Sequence, residues 1–119
     1  MINVKDQIYA ALAEKLENVT DTYPKDWTKL PAVQYVEEDN RVVEYTDGAE
    51  QMAYCRYRVD IWNTASTSNA ALLVDEAIAG LGLKRTQCSD VDDPNGMKHK
   101  QMRYEMIIDV HTQQVYHND

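Results

Sequence analysis

The sequence predicts an α+β fold, with a mainly antiparallel, mixed sheet and two helices packed on one face. Three observations predict it. Residues Met52 to Trp62 alternate between two side-chain sets, as a strand does. A helical stripe then runs to Leu81, and Met102 to Val110 alternates again. Strand, crossover helix and strand make one compact unit, and 119 residues support a single domain over 1–119 with one modest core.

Val4, Ile8, Ala11, Leu12, Leu16 and Val19 recur at three- and four-residue steps. That spacing predicts an amphipathic helix with Asn3 as N-cap, ending before Tyr23-Pro24 because proline forces its predecessor into extended conformations. Residues 24–30 read as a loop anchored by Trp27. Pro31 opens a strand from Ala32 to Glu38, Asp39-Asn40 reads as a turn, and Arg41 to Thr46 as a second strand. Asp47-Gly48 is a two-residue hairpin signal, since both positions tolerate positive φ.

The following strand, 49–62, places Ala53, Cys55, Tyr57, Val59 and Ile61 toward the core. Met52, Tyr54, Arg56, Arg58, Asp60 and Trp62 fall on the other face. After a cap-rich stretch, Ala70, Val74, Ala77, Ile78 and Leu81 form the second helical stripe, with Gly82 placed to end it. Leu83 to Cys88 reads as a short strand and Ser89 to Gly96 as an acidic turn. The last strand turns Met102, Tyr104, Met106, Ile108 and Val110 inward, and residues from about 112 to 119 form a polar tail.

Charge and composition narrow the function classes. Twenty acidic and 12 basic side chains give a net charge of −8, which disfavours a chain that grips a phosphate backbone. Cys55 and Cys88 are too few and too far apart for a zinc site or a secreted disulfide framework, so a reduced cytosolic compartment is expected. The first residues lack the apolar run of a signal peptide, and no stretch approaches the ~20 apolar residues of a membrane helix.

Sites with catalytic or ligand chemistry are weak. Asp90, Asp92 and Asp93 suggest a calcium loop, but the sixth and twelfth positions are Asn95 and Gln101 where glycine and glutamate are needed. The loop reads as a solvated hairpin. Lys98, Lys100 and Arg103 form too short a basic run for nucleic acid and read as a charged strand entrance. Cys55, His99 and His111 could be imagined as a thiol site. Alternation places Cys55 in the core, where its thiol acts as a small hydrophobe. No catalytic, cofactor or metal residue is assigned.

The outer sheet face carries more information. Tyr54, Trp62 and Ile107 occupy positions where patterning favours polar groups, among Arg56, Arg58 and Arg103. Aromatic and arginine residues with mixed charge are typical of a protein–protein contact. The alternative is that a loop or the tail of the same chain covers them. The 41–48 hairpin, with Val42, Val43 and Tyr45, is a second candidate contact, an arm able to reach a neighbour.

The order of these features resembles a known family. An amphipathic helix, Tyr23-Pro24, Pro31-Ala-Val-Gln-Tyr35-Val36-Glu37 and a hairpin lead to Tyr57-Arg-Val-Asp60-Ile-Trp62-Asn. A helix closing in Gly80-Leu-Gly82-Leu-Lys-Arg85, an acidic loop and Met102-Arg-Tyr-Glu-Met-Ile complete it. Across roughly residues 3–111 the chain resembles the tail-completion, or tail-terminator, proteins of long-tailed bacteriophages and prophages.

The resemblance implies a structural role with no catalytic residues and no cofactor. Such proteins form a homo-oligomeric ring, commonly a hexamer, at the head-proximal end of the tail tube. The ring stops tube growth, touches the tube protein and docks to the head connector or neck. DNA passes through without specific binding, and no membrane is involved. The expected location is the virion, after synthesis in the bacterial host cytoplasm. Two other readings stay open: a head-closure or neck adaptor, and a small cytosolic binding module or enzyme. Polar groups converging near Cys55 or His99 would favour the last.

Overall fold

The structure is a computed structural model that describes residues 3–112 and 115–116, excluding the side chains of residues 45, 46, 50, 115 and 116. Its elements are α1 (Lys5–Lys15), β1 (Asn18–Thr20), β2 (Ala32–Thr46), β3 (Ala49–Asn63), α2 (Ser68–Ala79), β4 (Lys84–Val91), β5 (Lys98–Asp109) and β6 (Val115–Tyr116). Five strands lie in the order β1-β2-β3-β5-β4, and β6 pairs with β5 beyond the end of β4. Among the described residues, only β1 and β2 run parallel. This is the predicted α+β fold with a mixed, mostly antiparallel sheet.

The core lies between one sheet face and the two helices. Ala53, Cys55, Tyr57, Val59 and Ile61 of β3 are fully buried, and Met102, Tyr104, Met106 and Ile108 of β5 lie beside them in register. Ile8 and Leu12 of α1 and Val74 and Ile78 of α2 close over this surface. The i, i+4 spacing of both helical pairs puts them on one face, as the periodicity requires.

Four local expectations are corrected. Asn3 does not cap α1; its side chain donates to Asp6, and Val4 holds the N-cap position. The first helix stops at Lys15, and Val19 lies in a strand. Leu16 is extended, and the Asn18 amide donates to the carbonyls of Asp26 and Lys29 at 2.9 and 2.8 Å. A short polar side chain that can bond the backbone of a nearby loop competes with helix here. Leu16 and Val19 are still buried, so the apolar spacing was real but served two elements.

Asp39-Asn40 is no turn. β2 continues through it, with a register shift between Glu37 and Asp39 that leaves Glu38 as an extra residue. The bulge exchanges the phase of the alternation, so Glu37 pairs with inward Tyr57 while Asp39 pairs with outward Arg56. Lastly, the two strands around the acidic loop are longer than expected, reaching Val91 and starting at Lys98. Asp93 turns the chain between them, accepting from the Asn95 amide at 2.7 Å.

The Asp47-Gly48 turn forms as expected, with φ of 54° and 73°. Gly82, φ 95°, follows α2, and its amide bonds the Ala79 carbonyl. Part of the expected polar tail, Val115–Tyr116, is the strand β6; residues 113–114 and 117–119 lie outside the described ones.

Two buried phenols tie the core to its rim. Tyr57 donates to Glu37 at 3.2 Å and Tyr104 to Asp75 at 2.9 Å. Burial, reinforced by the adjacent carboxylates, pushes both phenols far above the ordinary value of 10.0. The folded chain then holds these protons more tightly than the unfolded chain. The resulting stability is full below the ordinary tyrosine value and is lost as pH rises above it. Urea midpoints should fall as pH passes 10.0, and the fall should be shallower in Tyr57→Phe. A midpoint insensitive to pH in this range would contradict the assignment.

Candidate functional site

The outer sheet face is built by β2, β3 and β5. Their register sets Arg56 opposite Glu105, Arg58 opposite Arg103 and Asp60 opposite Gln101. Two arginines directly across a strand pair repel. Glu38 resolves this. Its carboxylate accepts from Arg103 Nε at 2.9 Å, Arg103 Nη2 at 3.3 Å, Arg56 Nε at 3.3 Å and Arg58 Nη1 at 3.5 Å. The bulge in β2 is what brings Glu38 over this cluster.

Burial pushes the Glu38 carboxyl up, but the hydrogen bond and charge of Arg103, with the charges of Arg58 and Arg56, outweigh it and hold it below the ordinary 4.5. A second carboxylate sits beside the first. Asp60 is 2% exposed and accepts from Arg58 Nε at 2.7 Å, His99 Nε2 at 2.9 Å and Gln101 Nε2 at 3.1 Å. Against a carboxylate that can only accept, His99 Nε2 is the donor. Arg58 touches both carboxylates and joins the two clusters.

Trp62 is a correction to the expected open face. It is 5% exposed, stacked on His99 at 4.5 Å and met edge-on by Tyr23 at 5.5 Å and Trp27 at 5.8 Å. The loop before β2 therefore covers it within the same chain. These rings contribute area and edge-to-face contact to the fold. Tyr54 and Ile107 face each other across β3 and β5 and are half-buried. The Arg41 guanidinium lies 4.5 Å from the Tyr54 ring centroid.

The structure thus gathers Arg56, Arg58 and Arg103, removes Trp62 from the surface, and leaves Tyr54 and Ile107 on the side of the arginines away from Trp62. Val42 and Val43 stand apart on the arm, each 45% exposed. The Tyr45 side chain lies outside the described residues. Glu38, Asp60, His99 and Gln101, which organise the face, were not among the expected site residues. The break in the alternation of β2 at Glu37–Asp39 was the available signal for Glu38.

The imagined thiol site is not assembled, although polar groups do converge at His99, where Asp60 also meets Arg58 and Gln101. Cys55 lies on the helix-covered face and His99 on the opposite one. His111 is exposed just past β5, its amide bonded to the Asp109 carboxylate. Among the described residues, no group of three or more His, Cys, Asp or Glu side chains could hold a metal, and no helix is long and apolar enough to cross a membrane.

Glu38→Gln should lower stability at neutral pH. Because the folded Glu38 pKa is depressed, its contribution is present above the ordinary glutamate value and lost as pH falls through the folded one. The difference from wild type in urea midpoint should therefore close under acid conditions. Trp62→Ala should cost about 3–5 kcal/mol of folding stability, as deletion of a buried aromatic does. Full retention of stability would show that the ring cluster is not part of the folded core.

No family model matches this chain, and a search of curated proteins finds no significant match.

Proposed function

We propose that this protein is a structural virion component. It caps the head-proximal end of a phage tail tube as a ring, stops tube growth and joins the tail to the head. The reading rests on the tail-completion resemblance and, in the structure, on one observation. The β2–β3 ribbon carries Val42 and Val43, each 45% exposed, toward its turn, where Val42 pairs with Ala53, next to Met52, the last β3 residue paired with β5. The molecule is accordingly elongated, 52 × 23 × 22 Å. Exposed apolar residues on such a ribbon are available to a neighbour.

On this reading the partners are further copies of the chain in a ring, commonly six, together with the tail tube protein and the head connector. The acidic balance suits a channel through which DNA passes, because clustered cations would hold the phosphate backbone. The charged outer face is largely neutralised within the chain, since Glu38 and Asp60 engage its arginines.

Electron microscopy of particles from a phage or prophage lacking this gene tests the proposal. Unattached heads beside tails of uncontrolled length are expected. Complementation with a Val42→Asp, Val43→Asp chain should leave the protein folded and the particles unjoined. Detached tails of normal length would assign docking alone, as for a neck adaptor. Normal infectious particles from the deletion would overturn the proposal.

A further inference from the structure

The sheet ends in two strand edges, and they are unequal. β1 pairs with β2 only from Ala32 to Gln34. Among the described residues, no strand pairs with the far side of β2 beyond Gln34. At the other end, among the described residues, β4 pairs with β5 on one side only, and seven of its eight residues are exposed. Exposed edges present unmatched backbone donors and acceptors, and natural sheets cover, charge or bend them. Here β2 is bent by register shifts at Glu37/Asp39, Val42/Glu44 and Glu44/Tyr45, and both edges carry charge.

The charges differ between the edges. Beyond Gln34, β2 bears Glu37, Asp39 and Glu44 against Arg41, which pairs with Asp39, while Glu38 is engaged by the arginines of the outer face. β4 begins with Lys84-Arg85 and bears Asp90 near its end. Two β2 edges brought together would set acidic strands side by side, which is destabilising. A symmetric β4–β4 contact would leave the longer β2 edge unmatched in every copy. Pairing β2 of one copy with β4 of the next engages both edges at once.

We propose that copies of this chain associate head to tail through antiparallel pairing of the β2 edge, beyond Gln34, with the β4 edge of the next copy. The proposal rests on the self-assembly part of the function above and names its contact. Strand directions agree: β2 and β5 both run antiparallel to β3, and β4 runs antiparallel to β5, so β4 continues the alternation beside β2. Val42 pairs with inward Ala53 and Cys88 with inward Met102, so both lie on the helix side of the sheet. Set opposite each other, they bring Lys84 and Arg85 alongside the Glu44 end of the ribbon. A contact that uses a different surface on each copy propagates, and it closes into a ring when the rotation permits.

Cysteine cross-linking of the full chain tests this. Cys88 is exposed and native, whereas Cys55 is buried. Val42→Cys places a thiol on the other edge at a residue already 45% exposed. Oxidation with copper–phenanthroline should then link most chains into a ladder of dimers, trimers and larger species. The ladder should vanish in Val42→Cys, Cys88→Ser. It should also be absent when the new thiol is placed instead at Leu72, which is 69% exposed on α2. Cys88-linked dimers of the unsubstituted protein as the main product would overturn the proposal in favour of a symmetric β4 contact. Unlinked chains in a sample whose micrographs show rings would overturn the edge contact and leave the assembly reading standing. Unlinked chains with no assembly at millimolar concentration would overturn self-pairing, and the deletion experiment would then decide the function by itself.

Discussion

β3 is the strand on which every other element takes its bearing. It is bonded to β2 on one side and β5 on the other along nearly its whole length. A strand has a side-chain period of two, so a slip of one residue would send Tyr57 and Val59 outward and drive Arg56 and Arg58 under the helices. Burying those guanidinium groups without their carboxylates would cost several kcal/mol each. The register is therefore held from both faces: by apolar burial beneath the helices, and by the fit of Glu38 and Asp60 to the arginines above. The hydroxyls of Tyr57 and Tyr104 add fixed points, since each is buried yet reaches a carboxylate at the core's edge.

The outer face shows how one backbone irregularity organises electrostatics. Without the extra residue in β2, a single carboxylate would not stand over three guanidinium groups. The face would then hold Arg58 directly opposite Arg103 with nothing between them. With it, charge of both signs is matched inside the chain, and the aromatic stack of Trp62 on His99 is anchored through the His99–Asp60 bond. The site is a cross-linked polar layer on a sheet.

Much of the architecture was legible because β3, β5 and α2 have strong, unbroken periodicity. Their inward residues could be assigned one by one, and those of β3 and α2 are buried as expected save for half-buried Leu81. The Asp47-Gly48 turn was legible because few residue pairs accept positive φ twice in succession. What failed was local competition. The spacing of Leu16 and Val19 fits a helix, and only the bonds of Asn18 to a distant loop reveal a strand. Asp39-Asn40 is common in turns, and a bulge uses similar residues without reversing the chain. Trp62 lies on the face that alternation gives it, and its cover is a third case. Patterning assigns a face to a side chain but does not say whether a loop such as 21–30 will fold over that face. Glu38, Asp60 and His99 gain their roles from strand pairing across 65 and 39 residues of separation, which no window along the chain contains.

The ribbon also has a bearing on how the chain folds. Its turn is the most local feature of the sheet and closes at little entropic cost. Yet it lies at the end farthest from the helices, where Val42 and Val43 gain little burial to reward closure. Local stability should thus rise from the turn toward the Ala32–Trp62 end, where both strands are buried. The hairpin's hydrogen bonds zip most firmly from the base upward. Amide exchange along β2 and β3 would record that gradient, fast beside Gly48 and slow beside Val59.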